Sequence, residues 1–158
     1  DALCPTANGG STLLYYTGIT RLAKNILHNV VGRYLNRERE ALRVLQWLRE
    51  SCETVRDAVE RRDMEKLGSG IGAVWTLNKR LDPGSTNRRV AHLFDRVCPH
   101  ATGAKLLGAG GGGFMLIVCS DRQHAERCRR DLAEDPPNEL ARFFDFHVSD
   151  TGLEVTVS

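Results

Sequence analysis

The stretch GAKLLGAGGGGFMLIVCS, residues 103–120, decides the fold of this sequence. Residues 105–107 are typical of the end of a strand, and residues 114–119 form an apolar run of strand length. Between them stand six residues, of which only Ala109 is not glycine. The pattern predicts a β-hairpin whose tip is the glycine-rich segment, because positive φ angles are allowed there.

The glycine-rich tip has two interpretations. Successive backbone N–H groups that turn the same way form a nest, which binds an anion such as a phosphate. The alternative is a long flexible hairpin tip, or a place where another element packs closely against the backbone. The segment contains neither GxGxxG followed by a helix nor GxxxxGKS/T, so its spacing leaves both interpretations open.

The composition narrows the class of protein. The chain has 158 residues, of which 41% are hydrophobic and 27% are charged, with a formal net charge of +2. These values predict a globular fold with a substantial core. Basic and acidic residues are interspersed, which argues against a nucleic-acid partner, and no apolar run approaches the ~20 residues that cross a bilayer. There is no signal-peptide pattern, and the chain begins at Asp1, so we expect a processed protein or a part of a longer one.

The five cysteines are odd in number and form no CxxC pair, which argues against a disulfide framework and against a zinc knuckle. We therefore expect a cytoplasmic location. Cys52 and Cys119 fall on apolar faces and are predicted to be buried. Two Cys–His pairs are interpreted as surface residues rather than metal ligands: Cys98 with His100, and Cys128 with His124.

Four helices are predicted before the hairpin. Residues 1–11 are interpreted as a loop or frayed terminus, and residues 13–17 as a strand. From Ile19 onward a one-faced apolar stripe predicts a helix that packs against a broad surface. A long amphipathic helix follows at residues 37–62, and two more helices are expected to begin after Asp63 and after Thr86-Asn87.

A helix and two strands are predicted after the hairpin. The helix covers residues 121–134, and the strands carry Phe144, Phe146 and Val148, then Leu153, Val155 and Val157. Without the additional helices, the element order is β-α-β-β-α-β plus a terminal strand. This order predicts the α+β class, with a ferredoxin-like (split βαβ) antiparallel sheet. We expect residues 12–158 to form a single domain.

Several motifs carry a resemblance to a known family. The segment KLLGAGGGGF, residues 105–114, resembles the third conserved motif of the GHMP kinases, which include galactokinase, homoserine kinase and mevalonate kinase. Further features resemble the family's kinases for L-fucose and for D-glycero-D-manno-heptose 7-phosphate: LYYTGITR at residues 14–21, Trp75 with Lys79, and Pro83-Gly84 with Asn87. The closing segments at residues 141–143 and 149–153 are more similar to the L-fucokinases, including the bifunctional fucokinase/fucose-1-phosphate guanylyltransferase type.

The resemblance implies the carboxy-terminal domain of a two-domain kinase. Such an enzyme uses ATP and Mg²⁺ to phosphorylate the anomeric hydroxyl of L-fucose, in the salvage route to GDP-fucose. The amino-terminal kinase domain, with the main phosphate loop and the catalytic acid, is not in these residues. We therefore expect no catalytic residue and no metal site in this chain, no activity from the chain alone, and an amino-terminal domain as its partner. A homo-oligomer of the isolated chain is a further expectation, since the surface left by that partner would be apolar.

The same resemblance nominates the residues of the site. The loop residues are expected to contact substrate or phosphate through their backbone: Gly108, Ala109, Gly110, Gly111, Gly112 and Gly113. Lys105 is nominated against the alternative of a solvated lysine at a strand end. Thr17 and Arg21 lie where a strand passes into a helix, a place where N-terminal amides collect anions. Lys79 is nominated for sugar contact, against a solvated position beside a core Trp75.

Two other classes of function stay open at this stage. A heptose 7-phosphate kinase is the alternative within the family. A stand-alone small-ligand binding or regulatory module is the alternative outside it, because one fold serves many functions. An RNA-binding module is disfavoured, since no aromatic pair flanked by basic residues is present.

Overall fold

A computed structural model describes residues 3–6, 8–20, 23–149, 151 and 155–156. Within these residues lie four strands, five α-helices and a short 3-10 turn at Pro83–Ser85. The strands are β1 (Thr12–Tyr16), β2 (Gly103–Leu106), β3 (Phe114–Val118) and β4 (Arg142–Phe144). The helices are α1 (Ala23–Leu35), α2 (Arg39–Arg61), α3 (Met64–Leu81), α4 (Arg88–Val97) and α5 (Arg122–Glu134).

The strands form one antiparallel sheet in the order β2-β3-β1-β4. The two strands of the hairpin, β2 and β3, are neighbours, and β1 lies between β3 and β4. In the register, Leu14 of β1 is opposite Leu116 of β3 and Phe144 of β4. Both β1 and β4 thus join the hairpin as a split βαβ arrangement requires, and the prediction of a ferredoxin-like α+β fold is confirmed.

Side-chain caps start three of the helices. The carboxylate of Asp63 accepts a hydrogen bond from the Lys66 N–H, and Asp121 accepts one from the His124 N–H. Asn87 caps α4 in the same way. Short polar side chains at these positions satisfy amides that the helix itself leaves without partners. The helix starts predicted after Asp63, Asn87 and at residue 121 are confirmed.

The core of the described residues has three clusters, of which the main one and the second one lie on opposite faces of the sheet. The third joins α2 to the end of α3 through Ala41, Val44 and Leu81. The main cluster joins the sheet to α4 and α5 through Tyr15, Ile117, Leu93 and Leu132, all of them buried. Trp75 of α3 also belongs to it and stacks on Phe94, with 4.9 Å between the ring centroids. The second cluster joins α2 and α3 to β3 through residues that include Ala58, Leu67, Ile71 and Val118.

Helix α3 approaches β2 so closely that the contact excludes side chains. A β-carbon placed on Gly103 would lie 3.1 Å from the Cα of Gly68 and inside the van der Waals radius of its carbonyl group. A β-carbon on Gly68 would lie 2.9 Å from the Gly103 nitrogen. The glycines of α3 therefore permit the close backbone approach that their spacing predicts.

The apolar stripe of α1 does not pack as predicted. Of its described large apolar residues, Ile26 is buried, while Leu27, Val31, Tyr34 and Leu35 are 53–70% exposed. The expectation that this helix packs against a broad surface is therefore wrong for the described part of the chain. The stripe leaves a ridge of apolar side chains on the protein surface.

Two predictions about cysteines are also wrong. Cys119 is buried as expected, but Cys52 is exposed and Cys128 is buried. The buried residues of α2 are Ala41, Val44 and Ala58, and Cys52 is not among them. Cys128 packs in the main cluster instead of lying on the surface.

These positions predict which thiols react. Burial raises the pKa of Cys119 to about 11 and that of Cys128 to about 12, whereas a hydrogen bond with the Thr6 hydroxyl lowers the pKa of Cys4 to about 7. Because the thiolate is the nucleophile, iodoacetamide at about pH 8 is expected to modify Cys4, Cys52 and Cys98 and to spare the two buried thiols. Peptide mass spectrometry before and after denaturation tests this. Modification of Cys128 in the folded protein would contradict the packing.

The carboxy-terminal strands are shorter than predicted. β4 ends at Phe144, and residues 145–149 are described without strand structure. Of the last predicted strand, Leu153 and Val157 lie outside the described residues, and Val155 is 76% exposed with no strand at residues 155–156. None of the helices in the described ranges combines the length and the apolar character needed to cross a membrane.

Candidate functional site

The loop that joins β2 to β3 covers residues 107–113 and is held in an unusual backbone conformation. Five of its residues have positive φ angles: Gly108 (74°), Gly110 (93°), Gly111 (78°), Gly112 (154°) and Gly113 (82°). Residues with a β-carbon rarely adopt such angles, so the composition of the loop follows from its shape. We call these seven residues the glycine loop.

The turn after α3 anchors the middle of the glycine loop. The Gly111 N–H donates to the Ser85 carbonyl at 2.5 Å, and the Asn87 side-chain Nδ2 donates to the Gly111 carbonyl at 3.1 Å. A β-carbon on Gly110 would lie 2.6 Å from the Ser85 oxygen and 2.9 Å from its Cα. The loop therefore lies flat against residues 85–87.

The end of β1 anchors the last part of the glycine loop. The Gly113 N–H donates to the Ile19 carbonyl at 2.9 Å, and the Thr17 N–H and hydroxyl both donate to the Gly113 carbonyl, at 2.9 and 2.8 Å. A β-carbon on Gly112 would lie 2.7 Å from the carbonyl carbon of Ile19. The second interpretation of the tip, close packing of another element against the backbone, therefore describes Gly110 and Gly112.

A third segment holds the bend after β1. Asn138, which follows α5, donates from Nδ2 to the Thr17 carbonyl at 2.8 Å. Gly18 has a φ of 64°, and a β-carbon there would collide with the Asn138 amide, 2.6 Å from its Cγ. The Thr17 hydroxyl also accepts a hydrogen bond from the Ile19 N–H at 3.2 Å. The Thr17 side chain is fully buried, so it contacts the loop and the bend rather than solvent.

Four amides of the glycine loop have no acceptor among the described residues: those of Gly108, Ala109, Gly110 and Gly112. Gly108 to Ala109 to Gly110 is a consecutive run, and Gly108 is exposed to solvent. Their neighbours in the second half of the loop donate to protein carbonyls instead. The available donors are therefore concentrated in the first half of the loop.

A hollow of about 160 Å³ adjoins this first half. Gly108 and Ala109 line one side, and the other sides are lined by α1, the end of α3 and the 3-10 turn, through Ile26, Leu27, Val30, Asn78, Leu81 and Ser85. Sites for small molecules usually measure ~300 Å³ or more, so the hollow has the size of part of a site. Leu27 belongs both to this hollow and to the exposed stripe of α1.

Three nominated residues remain, and the structure describes two of them, Lys105 and Lys79. Lys105 is half-buried on β2, where its Nζ donates to the Leu106 carbonyl at 2.8 Å and burial lowers its pKa. Lys79 is exposed near the end of α3, with Nζ 5.8 Å from the centroid of the Trp75 ring. Arg21 lies outside the described residues.

Of the residues that hold the loop, sequence reasoning nominated only Thr17, and for substrate or phosphate contact rather than for this role. Two of the anchors are the backbone carbonyls of Ser85 and Ile19. Any residue type could supply a backbone carbonyl, so the sequence does not identify them. Asn87 and Asn138 are side-chain anchors, but an asparagine before a helix or after a proline pair predicts only a cap or a turn. Within the described residues, no three His, Cys, Asp or Glu side chains come together as metal ligands do.

Comparison with known proteins adds the family. The protein-family model described as "GHMP kinases C terminal" matches residues 55–138 of this sequence. Over 146 residues the chain is 38% identical to the L-fucokinase/L-fucose-1-P guanylyltransferase of Bacteroides fragilis, covering 92% of this chain and 15% of that protein. It is 28% identical over 107 residues to the D-glycero-alpha-D-manno-heptose 7-phosphate kinase of Campylobacter jejuni, covering 67% of this chain and 31% of that protein.

Comparison of structures agrees on the fold. The L. major mevalonate kinase in complex with R-mevalonate superimposes with a TM-score of 0.73 at 19% identity, over 84% of this chain and 41% of that one. This chain thus spans less than half the length of each of these proteins. The family model and the fucokinase identity together show that the chain belongs to the GHMP kinases and corresponds to their carboxy-terminal region.

Proposed function

We propose that this chain is the carboxy-terminal part of an ATP-dependent sugar kinase that phosphorylates the anomeric hydroxyl of L-fucose, in the salvage route to GDP-fucose. The observation that carries the proposal is the glycine loop, anchored on two sides and with free amides in its first half. The higher identity to the fucokinase protein than to the heptose 7-phosphate kinase supports L-fucose as the sugar.

The free amides of Gly108, Ala109 and Gly110 suit phosphoryl transfer. That reaction depends on positioning and on stabilisation of negative charge, with little covalent chemistry for the protein to perform. Backbone donors that are already fixed act without reorganisation at the moment of reaction. In this proposal the anchors at residues 85–87 and 17–19 keep the loop in place. The amides of Gly108, Ala109 and Gly110 contact the sugar or the transferred phosphoryl group.

The residues fit ATP as a neighbour, since the unpaired N–H groups of Gly108, Ala109 and Gly110 can donate hydrogen bonds to phosphate oxygens. Mg²⁺ neutralises the phosphate charge in such reactions. The described residues bring no three metal ligands together, so we expect the metal's protein ligands in the amino-terminal kinase domain. The same domain would supply the catalytic acid and the main phosphate loop.

The hollow and the exposed α1 stripe support a site completed by that domain. A hollow of about 160 Å³ encloses only part of a substrate, and apolar ridges of several side chains are uncommon on surfaces that face only water. We therefore propose that the isolated chain is inactive and that its exposed stripe favours self-association. We place the whole enzyme in the cytoplasm, as the cysteine pattern predicts.

A coupled ADP-release assay tests the proposal. The longer protein that contains this chain and its preceding domain is expected to turn over L-fucose with ATP and Mg²⁺, and to prefer it to heptose 7-phosphate. The 158-residue chain alone is expected to release no ADP above background. Turnover by the chain alone would contradict the idea of a half-site. Failure of the longer protein with both sugars would favour a ligand-binding module instead.

A further inference from the structure

We propose that Asn87 is a positioning residue for the glycine loop, with a role that is separate from capping α4. One end of its side-chain amide starts the helix, and the other end holds Gly111. The inference rests on the proposed function only for its kinetic consequence. The mechanical part, that the Asn87 amide fixes the loop, stands on the contacts alone.

The two hydrogen bonds use the two different ends of the amide. Oδ1 accepts from the Val90 N–H at 3.0 Å, and Nδ2 donates to the Gly111 carbonyl at 3.1 Å. Exchanging the oxygen and the nitrogen would set donor against donor and acceptor against acceptor, so the contacts determine the orientation of the amide. Asn, Asp and Ser cap helices about equally well, but neither Asp nor Ser carries an amide donor.

The bond acts at a residue whose N–H and carbonyl are both held by one segment, residues 85–87. The Gly111 N–H donates to the Ser85 carbonyl, and the Gly111 carbonyl accepts from the Asn87 side chain. Residues 85–87 thus bind both polar backbone groups of Gly111. Gly111 is buried, and its carbonyl would lose its partner if the amide donor were removed. The Gly111 carbonyl belongs to the same peptide group as the Gly112 N–H, so rotation of this group would turn one of the free amides of the loop.

The substitution Asn87→Asp separates the two roles. It keeps the acceptor for the Val90 N–H and replaces the donor to Gly111 with an oxygen. In the 158-residue chain we expect helix α4 to be kept and the melting temperature to fall by only a few degrees, because the Gly111 carbonyl loses its partner. The heteronuclear NOE at the Gly110 to Gly112 amides should be lower. In the longer protein we expect kcat to fall about 10- to 100-fold, since small misplacements of positioning groups have effects of that size. KM for the sugar and for ATP should change less than kcat.

Two controls complete the experiment. Asn87→Ser tests the same loss of the donor without adding charge, and it serves if the aspartate variant does not fold. Asp63→Asn exchanges carboxylate and amide at the cap of α3, away from the loop, and is expected to change neither the NOE nor kcat.

The outcomes are distinct. The proposal would be overturned if the loop amides and kcat of both Asn87 variants matched those of the unsubstituted protein. It would also be overturned if the loss of kcat disappeared when each variant was assayed well below its melting temperature. If the unsubstituted longer protein shows no turnover, the proposed function fails. The NOE comparison then still decides whether Asn87 holds the loop.

Discussion

Gly103→Ala is expected to destabilise the chain by about 2–3 kcal/mol, the upper part of the range for inserting an atom into a packed interior. The added β-carbon would lie 3.1 Å from the Gly68 Cα, and still closer to its carbonyl group. Both sides of this contact are backbone, so no flexible side chain can move aside. Helix α3 would have to separate from β2, at the edge of the sheet that leads into the glycine loop.

Urea denaturation of Gly103→Ala and of Gly72→Ala measures this effect with a matched control. Gly72 lies in α3 on the same side, but a β-carbon there would be 3.9 Å from the Gly103 Cα, which is an ordinary contact. Alanine also favours a helix over glycine by about 1 kcal/mol, so Gly72→Ala should be neutral or stabilising. Equal stabilities for the two variants would show that the helix–strand contact is looser than described.

Gly112→Ala is expected to lower kcat of the longer protein by about 100-fold or more, the effect expected when groups at a reacting centre are displaced by about 1 Å. Its β-carbon would lie 2.7 Å from the carbonyl carbon of Ile19 and would push the loop away from β1. The hydrogen bond from the Gly113 N–H to the Ile19 carbonyl would be lost with it. The chain alone should lose about 1–3 kcal/mol of stability.

Gly108→Ala is the control for backbone strain. Gly108 has a φ of 74°, but no atom lies within 4 Å of a β-carbon placed on it. The substitution therefore costs about 1 kcal/mol from the left-handed conformation alone, with the loop still anchored. Steady-state kinetics and urea denaturation of both variants compare the two causes. If Gly108→Ala reduced stability as much as Gly112→Ala, strain rather than the clash with Ile19 would explain the loop's glycines.

Much of the fold could be predicted because local chemistry determines it. Asp63, Asn87 and Asp121 identify three helix starts through the hydrogen bonds that their short side chains accept. The hairpin at residues 103–120 and the order of the elements then restrict the sheet to a split βαβ arrangement. The glycines of α3 and of the loop predicted that another segment approaches their backbone closely. The sequence did not indicate which segment approaches each of them.

The failures have physical causes outside the local pattern. Amphipathic periodicity shows that α1 and α2 each have an apolar side. Which surface packs against that side depends on the tertiary structure and not on the local sequence. In α2 the buried residues are Ala41, Val44 and Ala58, and Cys52 is exposed. In α1 the described chain offers little surface to cover Val31 and Tyr34. Two anchors of the glycine loop are carbonyls, which every residue possesses.

The anchoring of the glycine loop also has a consequence for how the chain folds. Its contacts come from residues 17–19 and 85–87, and residue 138 in turn holds the bend at residues 17–18. These segments are far apart in sequence, and β1 pairs with β3 about a hundred residues later. Contacts between distant segments slow folding, because the entropy of closing long loops is lost before they form. During synthesis, the glycine run would emerge before Asn138 is available to brace the bend that receives it. The glycine loop with its anchoring segments is therefore expected to be among the last parts of the protein to acquire its native geometry.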